Sequence, residues 1–245
     1  MDTFDALLDE AAAVPLDGWD FSWFAGRATE QRPSWGYAGL VADRLGRAGT
    51  ALDVQTGGGE VFAWSVAHAA RRPGLLVAVE QWQPLVAAQR VDHVVQAAGL
   101  PFRDDVFDLV VSRHPVGTDW AATARVLRPG GLFLSQQIGA GTNRELSEAM
   151  LGPLPPPDRQ HPEQIAAVAR AAGFEVLQVR AERLRAEYYD IAAVAHFLRK
   201  VVWTVPGFTI ERFRPQLRAV HDEITATGRF VSYATRVLIE ARTCR

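Results

Sequence analysis

Three groups of residues in the chain have types and spacings that could do chemistry. Asp53 sits in the apolar run Ala51–Val54 and Glu80 closes the run Leu75–Val79. Between these acids lies the triplet Gly57-Gly58-Gly59. The third group, Ser112-Arg113-His114-Pro115, follows another apolar run, Phe107–Val111. An acid at the end of the second strand is placed to accept hydrogen bonds from hydroxyl groups of a ligand. Glycines between a strand and a helix let the backbone turn sharply and approach a ligand, because no Cβ intervenes. The helix that follows presents unpaired N–H groups at its N-terminus. A histidine with an unperturbed pKa of about 6.5 is a candidate general base. Arg113 could bind an anion, or could pair with Asp104, Asp105 or Asp108. A hydrogen-bonded structural histidine is the plainer account of His114.

These residues need elements to position them. Ala51–Val54 reads as a buried strand running into the glycines, and Val61 to about Arg71 as the helix beyond, ended before Pro73. Leu75–Glu80 is the second strand, and Pro84 starts a helix to about Arg90. Val91–Gln96 is a short third strand, weakened by Asp92 and His93. Strand four is Phe107–Ser112, Asp119 or Thr118 caps a helix over Trp120–Leu127, and strand five is Leu132–Ile138. Alternation along that strand lets only one of Gln136 and Gln137 face the site. Residues 139–161, with the run Pro153-Leu154-Pro155-Pro156-Pro157, read as a loop. A helix from His161 to Ala172 stops at Gly173, and Phe174–Val179 is strand six. Strand seven is Phe230–Ala241. The residues between strands six and seven hold two helices, Asp190–Val202 and Ile210–Thr227, with Asp190 as an N-cap.

The glycine turn does not match two common phosphate sites. A dinucleotide fingerprint needs a third glycine where Phe62 stands, and a P-loop needs a lysine where Glu60 stands. The stretch Asp53-Val54-Gln55-Thr56-Gly57-Gly58-Gly59 instead resembles motif I of the class I S-adenosylmethionine-dependent methyltransferases. Glu80, the segment Leu100–Ser112, and Arg125-Val126-Leu127-Arg128-Pro129-Gly130-Gly131-Leu132-Phe133-Leu134 match later motifs of that family in order and spacing. The resemblance is densest over residues 40 to 140, and over the whole chain it is to bacterial small-molecule members. It implies an α/β, Rossmann-like fold. The expected sheet is seven-stranded and mostly parallel, with an antiparallel last strand, helices on both faces and a helical lid insertion. The expected domains are an N-terminal cap over 1–38, a cofactor-binding core over 39–180 and 229–245, and a lid over 181–228.

The resemblance also implies S-adenosylmethionine as methyl donor and S-adenosylhomocysteine as product. Asp53, Gln55, Thr56, Gly57 and Gly59 would surround the methionine part, and Glu80 would meet the ribose. Gln81, Ala97 and Ala98 would flank adenine, and Ser112 and Arg32 complete the cofactor set. His114, Arg113 and Tyr189 are the catalytic candidates, for O- or N-methylation of a small, anionic metabolite. The Asn/Asp-Pro-Pro-Tyr signature of amide and DNA adenine methylation does not occur after strand four.

Two departures from the pattern leave alternatives open. Gln55 replaces the first glycine of the motif, so its side chain could point away, bond the methionine carboxylate, or block the site. Ala98 stands where an acid would meet the adenine amino group, a loss of about 0.5–1.5 kcal/mol. A non-catalytic relative with a degenerate cofactor site is therefore a rival reading. An RNA-modifying enzyme is another, raised by Arg180, Arg183, Arg185, Arg212, Arg214 and Arg218. Those arginines alternate with Glu182, Glu187 and Glu211 and lack interleaved stacking aromatics, so a solvated face is expected. The aromatic segment from Trp19 to Tyr37 reads either as core edge or as a lid over the cofactor. Phe197, Trp203 and Phe208 are expected in the core of the helical insertion, and His196 at its surface.

Composition narrows the rest. A net charge of −2 over 245 residues gives no global attraction to nucleic acid or anionic membrane. One cysteine, Cys244, allows no intrachain disulfide and fits a reducing compartment. The N-terminus lacks the features of a signal peptide, no apolar run reaches membrane-spanning length, and the histidines show no ligand spacing for a metal. A cytoplasmic monomer or homodimer, with a small-molecule acceptor as its partner, is the expectation.

Overall fold

The computed structural model describes residues 3–16, 18, 20–81 and 91–244. The helix expected from Pro84 to Arg90 lies outside the described residues. The chain divides into two compact units. The larger comprises residues 33–140, 158–182 and 236–245; the smaller comprises 1–32, 141–157 and 183–235.

The sheet elements are β1 (Ala28–Glu30), β2 (Thr50–Val54), β3 (Leu75–Glu80), β4 (His93–Gln96), β5 (Phe107–Arg113), β6 (Leu127–Ile138), β7 (Phe174–Tyr188) and β8 (Phe230–Thr243). Their order is β1-β7-β8-β6-β5-β2-β3-β4. The run β4-β3-β2-β5-β6 is parallel, and β8 pairs antiparallel with β6, Gln136 opposite Leu238 and Ile138 opposite Arg236. The sheet thus has eight strands among the described residues, not seven. The addition is β1, which pairs antiparallel with Ala186–Tyr188. Its three residues are too short to show an alternation in sequence. β7 runs on to Tyr188 rather than ending at Val179. Its charged second half, Arg180 to Glu187, obscured the strand pattern.

In the larger unit the parallel strands are apolar on both sides because helices cover both faces. Odd and even residues separate cleanly. Ala51, Leu109, Val111, Leu134 and Leu238 pack with Tyr37, Val41 and Leu45 of α2 (Tyr37–Leu45) and Phe62 of α3 (Glu60–His68). Leu52, Val110, Phe133 and Val237 pack on the other side, with Ala124 of α4 (Trp120–Val126) and Ile165 and Ala169 of α6 (Pro162–Ala171). Asp119 caps α4, its Oδ1 accepting from the Ala122 N–H at 2.9 Å. Asp108 fixes the entry of β2 by accepting from the N–H groups of Gly49 and Thr50, both at 2.8 Å.

The smaller unit is held by a helical core of α1 (Thr3–Ala13), α5 (Arg144–Leu151), α7 (Ile191–Lys200) and α8 (Arg214–Thr227). Helix α5 corrects the expected loop over 139–161. The neighbouring prolines hid it, although Leu146 and Met150 repeat at helical spacing and are buried. α7 is capped by Asp190, which accepts from the Ala193 N–H at 2.7 Å. Residues Ile191 to His196 of α7 are all buried. His196 is therefore not at the surface: it is 1% exposed and lies 4.8 Å from the Trp23 ring and 5.2 Å from that of Phe24. Lys200 donates to the Gly18 carbonyl at 2.9 Å and Arg199 to that of Val14 at 3.2 Å. Those bonds hold the segment after α1 against the face that the charges would otherwise have turned to water. Phe197 and Phe208 pack against the helical core, whereas Trp203 is 60% exposed, contrary to its expected place in it.

Candidate active site

The site is built at the carboxyl ends of β2, β3, β5 and β6, where ligands bind in open parallel sheets. All of its residues named below belong to the larger unit unless stated otherwise. Asp53 is 5% exposed and lies on the α2 face of β2. Its Oδ2 accepts from the Thr56 hydroxyl at 2.5 Å. Burial raises its pKa to about 7, opposed by the Thr56 hydrogen bond and reinforced by the charge of Glu80; Arg113 pulls the other way. Glu80, 7% exposed at the end of β3, accepts from the N–H groups of Gly57 at 3.0 Å and Gln81 at 2.9 Å. The second acid thus braces the glycine turn from the neighbouring strand.

Gly57 and Gly59 have φ of 63° and 77°, a region that glycine enters without a Cβ penalty. A Cβ at Gly57 would meet nothing within 4 Å, so there is open space beside the turn. Gln55 also has a left-handed φ, 55°. It occupies backbone conformation suited to the glycine it replaces. Its amide Nε2 donates to the Gly117 carbonyl at 2.8 Å, and its Oε1 accepts from the Val116 N–H at 2.7 Å. The amide is thereby tied to the loop after β5.

Behind β5 a chain of polar contacts leads to His114. The Trp35 indole Nε1 donates to Gln136 Oε1 at 2.8 Å, and Gln136 Nε2 lies 2.9 Å from His114 Nε2. The His114 backbone, at φ 54°, donates to the Gln136 carbonyl at 2.7 Å. Burial holds the imidazole well below its usual pKa, helped by the charges of Arg113 and Arg236. The Tyr37 hydroxyl donates to the Ser112 carbonyl at 2.9 Å, and the Ser112 hydroxyl donates to that of Val54 at 2.9 Å. Ser112 thus bonds β2. Gln137 faces the opposite side and donates to Thr118 at 3.1 Å.

An indole N–H can only donate, so the Gln136 atom beside it is the carbonyl oxygen and the other is the amide nitrogen. That nitrogen is also donor-only, which makes His114 Nε2 an acceptor and places the proton of the neutral ring on Nδ1. His114 is not arranged as the expected proton acceptor, because the lone pair a base would use already receives the Gln136 amide.

The remaining expected residues fall as follows. Ala97 donates its N–H to the Glu80 carbonyl at 3.3 Å, and Gln81 and exposed Ala98 complete that corner. Arg32 and Tyr189 belong to the smaller unit. There the Tyr189 hydroxyl donates to Glu187 at 2.9 Å and lies 3.2 Å from the Thr29 hydroxyl. Trp35, Tyr37 and Arg236 were missed as site residues. For Arg236 a signal existed: it interrupts the apolar-rich run Phe230–Ala241 at a position that shares its face with Leu238. Among the described residues, no group of three or more His, Cys, Asp or Glu could hold a metal ion, and no helix is long and apolar enough to cross a membrane.

No protein-family model and no curated protein matches the chain. Solved structures do. A proposed methyltransferase of Bacillus halodurans superposes with a TM-score of 0.54 at 17% identity, over 79% of this chain and 91% of that one. The (4+2)-cyclase SpnF gives 0.51 at 20% identity, over 98% and 92%. Phosphoethanolamine N-methyltransferase 2 of Haemonchus contortus, in complex with phosphomonomethylethanolamine and S-adenosylhomocysteine, gives 0.50 at 15% identity, over 86% and 53%. The order of strands, the acid-flanked glycine turn and these superpositions together identify the fold of the chain as that of the class I S-adenosylmethionine-dependent methyltransferases.

Proposed function

We propose that the protein is an S-adenosylmethionine-dependent methyltransferase acting on a small molecule. The observation that carries this reading is the pair of buried acids on either side of an open glycine turn. Asp53 is a carboxylate that burial leaves half-ionised near neutral pH, and a ligand ammonium group would complete it. The methionine end of S-adenosylmethionine has such a group. Glu80 accepts the N–H groups of Gly57 and Gln81 at the end of β3, a place that suits an acid meeting ribose hydroxyls. Ala97 and Ala98 would flank adenine without an acid for its amino group. When bound, the cofactor supplies a methyl group on a cationic sulfur. The chain's own residues align the acceptor and exclude water, and alignment alone can account for much of the rate.

A second reading rests on Gln55 and Ala98: a protein that keeps the fold but not methyl transfer. The fold admits that outcome, since one structural neighbour is a cyclase. Titration with S-adenosylmethionine and S-adenosylhomocysteine separates the two. Micromolar binding that is lost in Asp53→Asn and Glu80→Gln supports the first, and no binding by the native chain supports the second. An RNA substrate is tested by salt: its binding would fall steeply between 50 and 200 mM salt, and a small-molecule enzyme would show no such slope toward RNA.

A further inference from the structure

We infer that the acceptor is an oxygen that arrives already ionised, a carboxylate, and that His114 presents an Nδ1–H donor to it instead of taking its proton. This rests on the methyl-transfer reading above for the reaction, but not for the binding chemistry. The geometric basis is the relay from Trp35 through Gln136. It fixes both ends of the His114 ring: Nε2 is filled by the Gln136 amide, and Nδ1 carries the proton with no partner among the described residues. A ring held this way has no lone pair to offer and one N–H to give.

The charges around it point to the same ligand. Arg113 ends β5 and is paired in register with Gln136, while Arg236 stands on β8 opposite Ile138. Alternation puts Arg113, Gln136, Ile138 and Arg236 on one face of the sheet, the face of Asp53, Leu134 and Leu238. The fields of both guanidinium groups reach the His114 ring and favour its neutral form. The same two cations favour an anion beside that ring. An imidazole kept neutral among cations is unsuited to collecting a proton and well suited to donating a hydrogen bond to an oxyanion.

The reaction then balances without a base. A carboxylate oxygen attacks the methyl carbon while the carbon–sulfur bond breaks, and its electron pair stays on sulfur. The products are a methyl ester and a neutral thioether. The negative charge of the acceptor and the positive charge of the sulfonium cancel, and no proton is released. Too strong a grip on the oxygen would quench its nucleophilicity. A neutral N–H donor holds it less tightly than an imidazolium would.

The test uses the full-length protein labelled with nitrogen-15 at histidine. Long-range proton–nitrogen spectra at pH 7 read the His114 tautomer directly, with His114→Gln supplying the assignment. The expected result is the Nδ1–H tautomer, switching to Nε2–H in Gln136→Glu, where a carboxylate replaces the amide donor. Benzoate and its neutral counterpart benzamide are then titrated with and without S-adenosylhomocysteine. Benzoate should move the His114 signals at concentrations at least tenfold lower than benzamide, and that preference should be lost in Arg113→Met and Arg236→Met. An Nε2–H or doubly protonated ring in the native protein would overturn the proposal, and so would equal response to benzamide. Failure of S-adenosylhomocysteine to bind, with the tautomer and benzoate preference intact, would refute methyl transfer and leave the anion site standing.

Discussion

At the scale of single residues, Gln55 and Asp53 give the sharpest expectations. Gln55 carries a side chain in a left-handed conformation that costs a non-glycine residue about 1–2 kcal/mol, and two hydrogen bonds to the 116–117 loop offset it. Gln55→Ala keeps the strain and loses both bonds. Gln55→Gly loses the bonds but also the strain. Urea unfolding should therefore rank Gln55→Gly above Gln55→Ala by about 1 kcal/mol; the reverse order would show that the left-handed backbone at this position carries no strain. For Asp53 the expected effect is on pH. Its folded pKa of about 7 lies above the unfolded value. The folded state thus keeps a proton that the unfolded chain has released, and stability contributed by this group falls as pH rises from the unfolded pKa to about 7. A ligand ammonium reverses the preference. S-adenosylmethionine affinity should rise between pH 6 and 7.5 with release of a proton, measured as a dependence of the calorimetric heat on buffer ionisation. In Asp53→Asn both effects should vanish.

At the scale of elements, α7 is the informative case. His196 is buried against Trp23 and Phe24, and burial, with the charges of Lys200 and Arg199, lowers its pKa to about 4. The sign here is opposite to that of Asp53. Above about pH 6.5 the ring is neutral in both states, and as pH falls toward 4 only the unfolded chain takes up the proton. The helical unit should therefore lose stability on acidification through that window, and His196→Phe should flatten the loss. Circular dichroism melts of the two proteins between pH 4 and 7 check this. The element scale also separates what the sequence made legible from what it hid. Caps at Asp119 and Asp190 and the strands ending in Asp53 and Glu80 were readable because local chemistry sets them. β1, α5 and the second half of β7 were not: one is too short for a pattern, one is masked by prolines, and one carries charges through a strand. His196 was misplaced because charged neighbours at helical spacing usually mark a wet face, whereas here they reach backbone carbonyls of the segment that follows α1.

At the scale of the whole molecule, the acid-flanked glycine turn is the proposed seat of S-adenosylmethionine. The acid-flanked glycine turn was legible in sequence, since Asp53, the glycines and Glu80 stand at local spacing and at the ends of adjacent strands. The polar relay to His114 was not. Trp35, Gln136 and His114 are joined by hydrogen bonds across 101 and 22 residues of sequence, and Arg236 reaches that corner only through the antiparallel pairing of β8 with β6. A ligand that binds only the folded chain stabilises it by about 2.7 kcal/mol at a hundredfold excess over its dissociation constant, so thermal melts with S-adenosylhomocysteine would register the same event. The most direct measurement is calorimetric titration of the native protein and of Glu80→Gln with S-adenosylmethionine and S-adenosylhomocysteine. The expected result is one micromolar site per chain for each ligand, weakened at least tenfold in the variant. No heat and no competition with the native protein, in a sample shown to be folded, would contradict the claim.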